Sequence, residues 1–100
     1  MLNAGADVNM QGKYGNALQV ASIKGHKEVV QLLLDAGANV NAQGGYYIYA
    51  IYAAANQGHE EVIQLLLDAG ADVKKTNREE NEVFYEQLKL KKKERFNRIS

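Results

Sequence analysis

One hundred residues bound this chain to a single small domain. The lack of cysteine excludes disulfides and suits an intracellular chain, cytoplasmic or nuclear. No apolar run approaches the ~20 residues of a membrane span, no secretory leader is expected ahead of the domain text, and the net formal charge is zero. In chain order, the first element is a scrap, Leu2-Asn3-Ala4-Gly5-Ala6-Asp7-Val8-Asn9. A Gly-rich stretch at 11–16 then reads as a turn or hairpin. Residues 17–24 are short and alanine-rich, a predicted helix whose small side chains let neighbours approach closely. A second helix follows, with Val29, Val30, Leu32, Leu33 and Leu34 as a broad apolar face and Lys27, Glu28, Gln31 and Asp35 among the polar positions. Gly37 follows its last periodic residue, where a left-handed cap suits glycine.

The same elements then recur. Residues 43–49 give a turn, 50–57 a short alanine-rich helix, and Val62, Ile63, Leu65, Leu66 and Leu67 a second apolar face closed by Gly70. The text of 25–40 is almost repeated at 58–73, thirty-three residues later. A fixed period in the 20–50 residue range signifies stacked units, because one helix pair cannot bury its apolar face alone.

The repeat resembles the ankyrin repeat. Leu18, Ala21, Gly25, His26, Val29, Val30, Leu32, Leu33, Gly37, Ala38 and Asn41 fall in step with that family's helical signature. Ile51, Ala54, Ala55, Gly58, His59, Val62, Ile63, Leu65, Leu66, Gly70 and Ala71 do so again, and the match covers residues 2 to about 74. The loop text from Asn9 to Gln19 is similar to a variant common in long fungal ankyrin arrays. The resemblance implies an all-α solenoid of stacked helix-turn-helix units with hairpin-like loops, followed by a C-terminal helix. The expected layout is the end of a truncated repeat at 1–8, full repeats at 9–41 and 42–74, and a charged cap at 75–100. An array normally starts with a polar capping unit; this one starts mid-unit, which points to a fragment of a longer repeat protein. The family's Thr-Pro helix opening is replaced by Asn16-Ala17 and Tyr49-Ala50, since the chain has no proline; Asn16 is able to cap in its place.

The zero charge hides a split. Residues 1–73 carry three lysines against seven acids, net minus four, and residues 74–100 carry nine basic against five acidic residues, net plus four. Asn77-Arg78-Glu79-Glu80 has the form of a helix start, with acids in the first turn and basic residues at the far end. Val83, Phe84 and Leu88, with Phe96 and Ile99 beyond, supply a partial apolar face. Gln87 and Leu88 stand where true repeats carry paired small residues, so the segment is expected to be a degenerate cap that frays beyond Lys91.

Four groups of residues invite a functional reading. His26 and His59 are the only histidines, and one per repeat places them too far apart to share a zinc ion. His59-Glu60 begins like a zincin motif, but Ile63 holds the second histidine position. The resemblance gives both a structural place in the turn between helices, bonded to neighbouring backbone, alongside Gly25, Gly37, Gly58 and Gly70. Asp35 and Asp68 recur with the period near helix ends as scaffold. Tyr46, Tyr47, Tyr49 and Tyr52 crowd one loop and helix start, where repeat one has only Tyr14. Tyrosine is enriched at interface hot spots, and ankyrin proteins usually bind through loop tips and inner helices, so these four are the expected partner contacts. Ile48 replaces Gly15, which removes a residue tolerant of positive φ. Lys89, Lys91, Lys92, Lys93 and Arg95 form a basic patch that reads foremost as a solvated helix end.

No phosphate loop, paired catalytic acids or Ser-His-Asp spacing is present. If the chain comes from a larger fungal-type protein, any NTPase lies elsewhere in it. The expected function is therefore binding another protein, without catalysis, metal or cofactor, and with no membrane partner. The alternatives are nucleic acid or an acidic surface held by the basic tail, and a structural spacer within a longer array.

Overall fold

The computed structural model describes residues 8–99, with side chains through Arg95. Residues 1–7 of the expected partial repeat, and the side chains of Phe96 and Ile99, lie outside the described residues. Five helices follow one another: α1 (Ala17–Lys24), α2 (Lys27–Asp35), α3 (Ala50–Asn56), α4 (Glu60–Asp68) and α5 (Glu79–Ile99). Among the described residues there is no strand; an isolated antiparallel bridge joins Gly12 and Gly15. Helix α1 packs on α3 and α3 on α5, while α2 packs on α4. The result is an inner row of three helices and an outer row of two, an all-α stack in the register the repeats require.

Local chemistry sets the helix ends. Asn16 Oδ1 accepts from the Gln19 N–H at 2.9 Å, and Gln19 Oε1 accepts from the Asn16 N–H at 2.7 Å. This reciprocal box satisfies two of the donors that every helix start leaves open. Helices α2 and α4 end alike. Gly37 at φ +94° and Gly70 at φ +92° turn the chain left-handed. Ala38 N–H then reaches Leu33 O and Ala71 N–H reaches Leu66 O, both at 2.9 Å, the bonding of a Schellman motif.

The core is one cluster that runs through both repeats into the cap: Leu18, Val30, Leu33, Ile51, Val62, Ile63, Leu66 and Leu88 are all buried. The two outer helices differ despite their like sequences. Val62 is buried against the preceding repeat, but its counterpart Val29 is 43% exposed and Leu32 is 67% exposed. The broad face expected on α2 thus narrows to Val30 and Leu33, with Leu34 partly packed. Among the described residues, no helix lies on the open side of α2. That side is instead a groove of about 580 Å³ with Val8, Val20 and Val29 in its wall.

Helix α5 caps the other end along a stripe of Asn81, Phe84 and Leu88, spaced by three and four residues. Val83, expected on that face, is 68% exposed because it lies on the opposite side of the helix. The helix continues through Ile99, past the fraying point expected at Lys91.

Two substitutions test this packing. Gly25 and Gly58 hold the same left-handed conformation, φ +73° and +74°. A Cβ at Gly25 would lie 2.5–2.8 Å from the His59 ring, whereas one at Gly58 meets nothing within 4 Å. Gly58→Ala should therefore cost about 1 kcal/mol from backbone conformation alone. Gly25→Ala should cost at least about 1–2 kcal/mol more, because the ring must move. Chemical denaturation of both variants reads the difference. Ser22 is fully buried and its Oγ has no hydrogen-bond partner, while repeat two carries Ala55 at the matching position. Ser22→Ala should raise stability by about 1 kcal/mol in the same assay.

Candidate functional site

The four tyrosines do not share one surface. Tyr52 is fully buried and Tyr49 nearly so. Tyr52 replaces Gln19 of repeat one, and it takes over the same task. Gln19 Nε2 reaches from α1 to the next unit and donates to Ala42 O at 3.0 Å and Ile48 O at 3.2 Å. Tyr52 Oη–H reaches from α3 in the same direction and donates to Lys74 O at 2.8 Å. Burial pushes its hydroxyl up from 10.0 to about 12. Tyr49 stands at the helix start in place of Asn16, makes no capping bond, and accepts from Gln43 Nε2 at 3.2 Å. These two rings pack within the stack, so the surface of the expected contact group reduces to Tyr46 and Tyr47.

Both sit in a hairpin one residue longer than that of repeat one. Between Asn9 and Asn16 the first loop has one residue fewer than the second has between Asn41 and Tyr49. The extra residue falls inside the turn. Gly12 and Gly15 close the first hairpin, with Gly12 N–H on Gly15 O at 2.9 Å, and Gly44 N–H closes the second on Ile48 O at 2.8 Å. Three residues, Gly45, Tyr46 and Tyr47, thus fill the second tip where Lys13 and Tyr14 fill the first. Ile48 keeps the left-handed backbone of the glycine it replaces, at φ 70°. A β-branched residue there is strained by about 1–3 kcal/mol. Bonds from Gly44 N–H and Gln19 Nε2 to its carbonyl oxygen hold it in place.

At the tip, Tyr46 is 51% exposed and stands edge-on to Tyr47, with ring centroids 5.0 Å apart. The Arg78 guanidinium lies 4.1 Å from the Tyr46 centroid, and Tyr46 Oη–H donates to the Glu80 carboxylate. That bond raises the Tyr46 hydroxyl above its ordinary value and lowers the Glu80 carboxyl. Tyr47 is half-buried; its Oη accepts from Gln57 and its backbone oxygen from the buried Asn81 at 2.8 Å. Tyr14 of the first tip is 65% exposed, with Lys13 beside it at 5.5 Å. The sequence singled out neither Tyr14 nor Arg78 as a contact residue; the signal was their matching loop positions, about one repeat before and one repeat after the tyrosine pair. Helix α3 offers no large exposed side chain, because α1 and α5 cover its two sides.

The other marked residues fall into place around this scaffold. The His59 ring lies 2.9 Å from Ile23 O of the preceding repeat, while His26 is exposed beside the open groove. Among the described residues, no group of three or more His, Cys, Asp or Glu side chains converges to hold a metal ion. None of the described helices is long and apolar enough to cross a membrane.

The basic patch is divided. Lys91 pairs with Glu60 at 2.9 Å, Lys92 with Asp72 at 3.2 Å, and Arg95 with Asp68 and Gln64. Lys91 and Gln64 together hold the Glu60 carboxyl below its usual range. Among the described residues, Lys89 and Lys93 form no ion pair. The basic tail is therefore partly a clasp on the acidic repeat in front of it, rather than a freely solvated helix end.

Helix pairs stacked in register, glycine-capped and laced by side chains to the backbone of the next unit, with their differences at loop tips, define a helical-repeat scaffold. The family description "Ankyrin repeats (3 copies)" matches residues 1–77, and the chain belongs to the ankyrin repeat family. Repeats of this family are generally protein–protein interaction modules. One similar protein is "Azaphilone pigments biosynthesis cluster protein L" of Monascus ruber, 68% identical over 34 residues. That stretch is 33% of this chain and only 7% of that protein.

The buried hydroxyl gives a measurable signature. A group whose pKa is raised on folding contributes stability that is intact below its unfolded value and lost as pH rises through its folded one. For Tyr52 the window runs from 10.0 to about 12. Ultraviolet titration should show one tyrosine ionising late, together with loss of helical signal. Tyr52→Phe should remove the late step and cost about 0.5–1.5 kcal/mol at neutral pH through loss of the bond to Lys74 O.

Proposed function

We propose that this chain is a non-catalytic protein-binding module whose contact ridge is the row of loop tips: Tyr14, then Tyr46 and Tyr47, with Arg78 at its end. The observation that carries the reading is the one-residue extension of the second hairpin, which brings two adjacent aromatic rings to the tip of a strained loop. Strain is tolerated where the surrounding structure holds it, and it gathers at functional loops. Aromatic rings and arginine are the side chains most often found as binding anchors, since they offer a large contact area with few torsions to freeze. Arg78 stacked on Tyr46 supplies a flat, pre-ordered face for a partner. Tyr49 contributes by fixing the loop's base and Tyr52 by tying α3 to the segment that follows α4, rather than by touching the partner.

The test is affinity capture followed by quantitative binding with the protein recovered. Tyr46→Ala and Tyr14→Ala leave the core untouched and should retain the helical circular dichroism of the parent. Each should weaken the captured partner by about tenfold or more, the range of a modest hot spot. Equal binding by the double variant would remove the loop tips as the contact surface.

A further inference from the structure

A groove of about 690 Å³ separates the segment after α4 from the side of α5, lined by Asp72, Val73, Lys74, Lys89, Lys92 and Lys93. Four lysines and one aspartate are among its lining residues. The carboxylate is already engaged, since Asp72 pairs with Lys92, which also donates to Ala71 O at 2.9 Å. Among the described residues, Lys74, Lys89 and Lys93 have no ion-pair partner. Lys89 instead leans over the Tyr85 ring at 4.9 Å, and Lys75 leans over the same ring at 5.5 Å. The fold therefore leaves three unpaired lysines around one groove, a positive surface that favours an anion.

We infer that this groove takes a short acidic peptide segment from a protein partner, one in which carboxylates alternate with an aliphatic side chain. The half-buried Val73 gives the groove an apolar wall for the aliphatic residue, and Lys74, Lys89 and Lys93 form a rim for the carboxylates. Charge distribution favours a short segment over a nucleic acid. A duplex or long strand would run onto the repeat body, where residues 1–73 carry net charge minus four, and the whole chain has no net positive charge to draw it in. Glu82 and Glu86 on α5 add to that barrier along the helix. This site is separate from the tyrosine ridge and does not depend on it.

Fluorescence anisotropy tests the assignment with the full chain and three probes at low ionic strength: a short labelled peptide of alternating Glu and Leu, the same peptide with Gln for Glu, and a labelled oligothymidylate. The Glu peptide should bind best, and added salt should weaken it. Lys74→Gln/Lys89→Gln/Lys93→Gln should weaken it about tenfold, the combined effect of three modest surface charge contacts. Lys93→Glu alone should act in the same direction. Lys13→Gln/Lys24→Gln, which removes charge elsewhere, and Tyr46→Ala should leave the affinity in place. Three results would overturn the inference: no preference for Glu over Gln, tighter binding of the oligothymidylate, or equal affinity in the triple variant with its helical signal intact.

Discussion

Helix α3 cannot be stable by itself, because nearly every side chain it has is buried and none of that burial is internal to the helix. Ala50 to Ala55 are all covered, by α1 on one side and α5 on the other. Seven residues are too few for a helix to persist in water on backbone bonding alone. Its existence depends on two neighbours at close approach, and four alanines make that approach possible. The same dependence explains why α5 is present at all. It has little amphipathic character and few apolar residues, yet Asn81, Phe84 and Leu88 suffice to close the exposed flank of α3.

Polar side chains set the spacing between units that alanine packing leaves loose. Asn9 Oδ1 accepts from Asn39 N–H at 2.7 Å, and one unit later Asn41 Oδ1 accepts from Asp72 N–H at 2.8 Å. Gln19 and Tyr52 form a second series of rungs with different chemistry. An amide and a phenol do the same work because each places a donor at the same reach from an inner helix. Buried backbone carbonyls need a donor, and either group supplies it. Tyr52 therefore looks like a loss of the repeat pattern in sequence and is a continuation of it in space.

Charge acts on the same scaffold at longer range. The acidic repeat body and the basic tail cancel in the sum but meet in the structure, through Glu60, Asp68 and Asp72 on one side and Lys91, Lys92 and Arg95 on the other. Each pair is partly exposed and worth little alone. Together they hold α5 against the repeat body, while among the described residues Lys89 and Lys93 on the same helix form no ion pair. One helix thus carries cations with two distinct surroundings, separated by the helical period rather than by distance along the chain.

The helix pairs, their caps and the repeat family were legible in the sequence, because each rests on near-neighbour chemistry. Asn16 caps the helix that begins at Ala17 by bonding Gln19 three residues on, Gly37 and Gly70 turn the chain where the helix ends, and apolar periodicity marks the buried stripes. The extra residue in the second hairpin was also written there, though the thirty-three residue period masks it. What only the tertiary structure decided was which side chains remain at the surface. Val29 and Val62 have nearly the same sequence surroundings, yet one is exposed and the other buried, because among the described residues only Val62 has a helix pair in front of it. Tyr46 and Tyr52 are the same residue six positions apart, one at the loop tip and one in the core. Lys92 and Lys93 are adjacent, and only the first has an acid to hold. Exposure depends on what packs from elsewhere in the chain, and no local pattern carries that information.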